Sequence, residues 1–133
     1  MLRFDSWNIG TLTSKLMEIV DIMVRRMIQI LYLQETKWVG EKAKEIERTG
    51  FKLWYSGRDK GRNGVGIIIY KDLKESVVEV KRLDDRIILI KLILEEEILN
   101  VISVYAPQVG LEERIKNKFW GELDMIIQGI PQT

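Results

Sequence analysis

Between Arg86 and Leu94 the chain reads Arg-Ile-Ile-Leu-Ile-Lys-Leu-Ile-Leu, and this run constrains the fold more than any other. A strand with one wet face alternates apolar and polar residues; a strand without that alternation has to be covered on both faces. The chain must therefore stack layers on either side of this segment. Its 133 residues fit one domain, and 46% hydrophobic content is enough for a sizeable core. A chain that stays disordered carries fewer apolar residues.

Around that run the pattern is mixed. Residues 2–9 alternate, with Leu2 and Phe4 on one face, which predicts a strand ending near Asn8. Thr13 or Ser14 offers a capping hydroxyl for the helix expected next. In that helix Leu16, Ile19, Val20, Met23, Val24 and Met27 recur at three- and four-residue steps, and Arg25 and Arg26 suit its C-terminal dipole. Ile28–Leu33 reads as a buried strand, which completes a βαβ unit with two parallel neighbours. The composition predicts a short helix over 41–48, ended by Gly50.

Strand-like segments follow at Phe51–Ser56, Val65–Tyr70, Ser76–Leu83, Arg86–Leu94 and Ile98–Tyr105. Turns are expected at 58–64 and 84–85, and a tight polar connection at Glu95-Glu96-Glu97. Leu111, Ile115, Phe119, Leu123, Ile126 and Ile127 mark a second amphipathic helix, stopped by Gly129 and Pro131. An α/β domain that ends on such a helix is expected to stop short of its next strand. A half of that kind with one sheet would expose the apolar face of strands such as Arg86–Leu94 and be poorly soluble.

Composition excludes several chemistries. With no Cys there is no disulfide scaffold, and with no His either, a zinc site loses both of its usual ligand types. Ser-His-Asp and Cys-His catalysis are excluded within these residues. Any reaction has to run on carboxylates, amides, Tyr, Lys and Arg. The net charge of +1 advertises no nucleic-acid partner, yet residues 36–62 hold eight Lys/Arg against four acids. By charge pattern alone such a segment reads first as a solvated face. No continuous apolar run approaches the ~18 residues of a membrane span. Residues 1–5 lack a signal-peptide layout, so the reading is intracellular, with no membrane partner.

Three polar residues fall at the C-terminal ends of expected strands: Asn8, Glu35 and Tyr105. In open α/β sheets the functional crevice lies beyond those ends. An amide and a carboxylate on adjacent parallel strands could hold Mg²⁺ through oxygen. A nearby Tyr hydroxyl could donate to a phosphate oxygen or tune a neighbouring base. The bland alternative makes Glu35 a loop carboxylate and Asn8 a turn residue. The stretch Gly61-Arg-Asn-Gly-Val-Gly66 lacks both the dinucleotide spacing and a following helix, so it reads as a hairpin loop. Its Arg58, Lys60 and Arg62 could touch a phosphate backbone. Trp38, Trp54, Tyr55 and Trp120 are expected in core or rim packing rather than as base-stacking platforms. No small-molecule cofactor motif occurs.

Four segments taken in order carry a resemblance: Trp7-Asn8-Ile9-Gly10-Thr11-Leu12, Gln34-Glu35-Thr36-Lys37, Asn63-Gly64-Val65-Gly66-Ile67 and Val104-Tyr105-Ala106-Pro107. Together they resemble the endonuclease/exonuclease/phosphatase superfamily, and within it the endonuclease domains of RTE-type retrotransposons, a group that includes craniofacial development protein-like sequences. The resemblance spans essentially the whole chain. It implies a four-layer α/β sandwich, here a truncated half with a mixed sheet and two main flanking helices. It also implies Mg²⁺-dependent phosphodiester hydrolysis of DNA.

By the same resemblance Glu35 matches the metal-binding Glu, Asn8 the Asn on the metal and nucleophile side, and Tyr105 the Tyr at the scissile phosphate. Lys37, Arg62 and Asn63 fall in loops that flank DNA in the family. The family's G-D-x-N and S-D-H segments are not among these residues, and Gly10 stands where some relatives carry an acid. Residues 1–133 are thus expected to be the N-terminal part of one incomplete domain. Catalysis by that part alone is expected to be lost. Two further readings stay open: a decayed, non-enzymatic retroelement remnant, and a DNA-binding fragment. A nuclear location is what the retroelement resemblance suggests.

Overall fold

The alternation at the start of the chain becomes a strand, β1 (Phe4–Asn8), in a computed structural model that describes residues 2–9, 15–58, 62–107 and 113–130. β1 pairs in parallel with β2 (Ile30–Gln34), Phe4 opposite Ile30 and Asn8 opposite Gln34. Between them runs α1 (Leu16–Arg26), whose buried residues Ile19, Val20 and Met23 form one stripe. It ends where Met27 turns left-handed at φ 56° and gives its N–H back to Val24 and Met23. Arg25 and Arg26 lie in the last turn, as the dipole favours. The expected caps Thr13 and Ser14 lie outside the described residues.

One expectation is overturned here. Residues 40–45 form a strand, β3 (Gly40–Glu45), paired antiparallel with β4 (Lys52–Gly57) from Gly40–Gly57 to Glu45–Lys52. Helix propensity in Glu-Lys-Ala-Lys-Glu is real but small, and no apolar stripe supports it. The ladder offered by β4 outweighs it. β5 (Val65–Ile69) lies between β2 and β4, antiparallel to both, so the first sheet runs β1-β2-β5-β4-β3. A single helical turn, α2 (Lys71–Lys74), had no signal in the sequence.

The second sheet is an antiparallel meander of β6 (Val77–Leu83), β7 (Ile87–Leu94) and β8 (Glu97–Val104). Glu95 and Glu96, at φ 47° and 73°, make the tight turn between β7 and β8. α3 (Glu113–Gln128) follows and buries Phe119 and Ile126. Ile127, placed on its apolar stripe by spacing, is instead 51% exposed.

Two-residue periodicity sorts the apolar residues into three interfaces. Ile19, Val20 and Met23 of α1 pack on Leu31, Leu33, Leu53 and Ile68. From the other face of that sheet, Ile30, Ile67 and Ile69 meet Ile88, Ile90 and Leu92 of β7. Ile87 and Leu89, pointing the opposite way, meet Phe119 and Ile126. The order is helix, sheet, sheet, helix. Each such side chain contributes roughly 1.5–3 kcal/mol on burial. The expectation of a single sheet with β7 exposed fails, because the strands divide between two sheets and β7 lies covered in the middle.

Polar groups close the sandwich unevenly. Arg82 of β6 donates to the carbonyls of Tyr55 (2.9 Å) and Lys42 (3.0 Å) on the facing sheet. Opposite, the buried Ser103 of β8 donates to the Leu33 carbonyl at 3.1 Å. β8 therefore faces β2, and β1 flanks β2 on that same side. Among the described residues no further strand pairs with β1 or β8. No helix among them is long and apolar enough to cross a membrane.

Candidate active site

At one edge of the sandwich β1, β2, β4, β6 and β8 finish while β5 and β7 begin, as the registers Gln34–Val65, Ser56–Val65, Leu83–Ile87 and Ile87–Val104 require. The connecting residues there are unusually rich in left-handed backbone: Glu35 (φ 59°), Lys37 (61°), Asn63 (50°), Gly64 (97°) and Asp84 (59°). Outside glycine this conformation costs on the order of 1 kcal/mol per residue, so the surroundings must enforce it.

They do so by interlacing three loops. The N–H of Thr36 donates to the Gly64 carbonyl (3.2 Å), that of Lys37 to Asn63 (2.8 Å), and that of Gly64 to Asp85 (3.0 Å). Gly64 is required: a Cβ there would meet the Thr36 Oγ1 at 2.3 Å. The Asn63 side chain points inward and donates to the buried Asp85 carboxylate at 2.9 Å. The N–H of Tyr105 donates to the Arg86 carbonyl at 2.9 Å, and Arg86 Nη1 donates to the Tyr105 carbonyl at 3.1 Å.

This lattice brings Glu35 and Tyr105 together across 70 residues of sequence: the Tyr105 hydroxyl donates to Glu35 Oε1. The Arg86 guanidinium lies 5.2 Å from the Tyr105 ring centroid, a cation–π contact that steadies the ring. Asn8 is exposed at the end of β1, on the strand beside the one that leads into Glu35. Asn8, Glu35 and Tyr105 therefore share one edge. Lys37 is half-buried and Arg62 exposed on the same edge. Asn63 spends its amide on Asp85 rather than presenting it outward. Trp54 and Tyr55 are buried and Trp38 half-buried, whereas Trp120 is exposed.

Arg86 and Asp85 escaped the sequence reading, although Asp-Asp-Arg directly before the buried run was a visible signal. With Arg58, Asp84, Arg114 and Lys118 they line a cleft of about 420 Å³ beside the Glu35–Tyr105 pair.

The donor chemistry suits a hard divalent cation. Mg²⁺ takes oxygen ligands, commonly one or two carboxylates with water and substrate phosphate completing the shell. Glu35, already an acceptor from Tyr105, and the Asn8 amide oxygen are donors of that type. Among the described residues no group of three or more Asp, Glu, His or Cys gathers for a metal.

No family model matches the chain. Craniofacial development protein 2 of Bos taurus is 27% identical over 129 residues, covering 96% of the chain and 22% of the relative. An AP endonuclease from Archaeoglobus fulgidus superposes over 99% of the chain with a TM-score of 0.75 at 27% identity. The chain has the endonuclease/exonuclease/phosphatase fold. A 3′ phosphatase from Neisseria, solved bound to product DNA hairpin, shares this fold with a TM-score of 0.72 over 96% of the chain at 19% identity. The chain spans 53% and 52% of these two structures, about half of each endonuclease/exonuclease/phosphatase neighbour.

Proposed function

We propose that residues 1–133 form the N-terminal part of a Mg²⁺-dependent nuclease domain that hydrolyses phosphodiester bonds in DNA, of the kind retrotransposons carry. The observation that carries this reading is the Glu35–Tyr105 pair, assembled from both sheets at the edge where Asn8 also ends its strand. The fold neighbours support it: they include an AP endonuclease and a phosphatase bound to DNA. A nuclear site of action belongs to the same reading.

In this proposal Glu35 and Asn8 hold the cation. When bound, Mg²⁺ supplies positive charge to a phosphoryl oxygen. Tyr105 has one O–H: in this structure it orients the Glu35 carboxylate, and once released from that bond it can donate where negative charge develops during displacement. Arg86 keeps the Tyr105 ring in place from behind. Lys37 and Arg62 face the DNA backbone, and Asn63 holds the loop that carries Arg62. The water-activating Asp and the phosphate-binding His that the resemblance implies are not among these residues, so this stretch alone is expected to hydrolyse poorly.

The test is nicking of supercoiled plasmid in Mg²⁺ by the longest expressed product that contains residues 1–133, beside its Glu35→Gln variant. We expect the variant to lose on the order of 10²-fold or more of the rate. Equal nicking by both proteins would overturn the assignment. The cation-lined cleft favours a second reading, DNA binding without cleavage, for which neither protein would nick while both bound.

A further inference from the structure

The cleft beside the pair contains an arrangement that the hydrolytic reading does not use. Asp84 sits in the β6–β7 turn, and its carboxylate takes two cations from two other elements. Arg58 at the end of β4 approaches both carboxylate oxygens at 3.3 Å, and Lys118 of α3 approaches one at 3.2 Å. These ion pairs are open to solvent, with Arg58 67% and Lys118 60% exposed, so they add little to stability. Their convergence needs another explanation.

Chemistry supplies one. A carboxylate held by a guanidinium and an ammonium presents two oxygens much as a phosphodiester presents its two non-bridging oxygens. Around it the cleft adds Arg62, Arg86 and Arg114, while its other acid, Asp85, is already engaged by Asn63. Five cations thus line the cleft with two carboxylates, and a third carboxylate, Glu122 of α3, reaches Lys118 at 3.7 Å from outside the lining. The volume, about 420 Å³, admits a phosphate with part of its nucleotide. Arg86 reaches from this cleft to the Tyr105 ring, so the cleft borders the Glu35–Tyr105 pair. The Asp84 hydrogen bond and charge, with the charge of Glu122, raise the affinity of Lys118 for its proton above the usual lysine value, while nearby Arg58 opposes the shift.

We propose that this cleft is a second phosphate site, gripping a nucleic-acid backbone phosphate outside the scissile position, and that Asp84 occupies it as an internal stand-in which the strand displaces. The inference rests on the DNA reading above but concerns binding rather than hydrolysis. Asp84 lowers affinity, since each bound strand must first free Arg58 and Lys118. It thereby favours a substrate long enough to reach both the cleft and the Glu35–Tyr105 pair.

The test is fluorescence anisotropy of a short labelled DNA duplex titrated with the protein in EDTA, where hydrolysis plays no part, at several salt concentrations. Asp84→Asn is the informative variant, because Asn accepts the left-handed backbone that position 84 requires. We expect it to bind roughly fivefold more tightly than the parent, the change that losing one surface charge contact produces. Lys118→Gln and Arg58→Gln alter exposed side chains and serve if Asp84→Asn does not fold. Each should weaken binding and reduce the slope of log affinity on log salt by about 0.9.

Unchanged or weaker binding by a folded Asp84→Asn, or no effect of Lys118→Gln and Arg58→Gln, would overturn the proposal. Loss of nicking with these binding effects intact would count against hydrolysis alone. Nicking that depends on Glu35 with no binding effect at Asp84 would count against the cleft alone.

Discussion

Gly64 shows how one residue can hold the loop edge of the sandwich in shape. Its φ of 97° and the 2.3 Å separation between a built Cβ and Thr36 Oγ1 leave no room for a side chain. We expect Gly64→Ala to cost about 2–3 kcal/mol, measured as a shift in urea midpoint, because strained backbone and overlap add. A change below about 0.5 kcal/mol would show that the 36–37 and 63–64 loops yield easily. Asn8, Glu35 and Tyr105 were legible as single residues because strand ends can be read from periodicity. That Tyr105 would donate to Glu35 was not, nor that Asn63 would turn inward to Asp85. Both depend on loops brought together across the fold by left-handed residues that no local pattern marks. Arg86 was hidden for a different reason: it looked like the first residue of a strand.

Elements were legible where a helical period was strong, as in α1 and α3, or where a nearly continuous apolar run stood out, as in β5 and β7. β3 was not, because its strand state comes from a partner and its side chains are polar on both faces. Glu45, its last residue, bonds Lys74 of α2 at 2.8 Å and lies 3.8 Å from Lys52 of β4. The Lys74 hydrogen bond, helped by the charges of Lys74 and Lys52, holds the Glu45 carboxyl below its usual value of 4.5. A lowered folded value means that the folded protein binds this proton less readily than the unfolded chain. The stabilisation is therefore complete above the unfolded value and fades as pH falls through the folded one. Glu45→Gln should flatten that acid limb slightly, as suits an exposed pair. Urea midpoints at about pH 6 and about pH 3.5 would check this; equal acid sensitivity in both proteins would mean that the pair contributes nothing.

For the molecule as a whole, the sequence foretold layers through the nearly continuous apolar run in β7. It did not foretell that one stretch of 133 residues would supply strands to both sheets, since sheet membership is decided by connections and not by periodicity. The same assembly leaves β8 without a further strand neighbour among the described residues, with Ile98 59% exposed and paired in register with the exposed Ile93. Unpaired edges with apolar side chains invite association. Sedimentation velocity should show concentration-dependent self-association that Ile98→Lys reduces. An equally associating variant would move the contact to another surface.

The two sheets are bound like the covers of a book. Arg82 forms the spine against Tyr55 and Lys42, and Ser103 clasps the fore-edge, donating to the Leu33 carbonyl and accepting from the Gln34 amide. Glu35 belongs to one cover and Tyr105 to the other, so their bond is a caliper across the gap. Whatever closes the β1/β8 side sets the reading of that caliper, and the carboxylate's geometry becomes a report on how firmly the covers are shut.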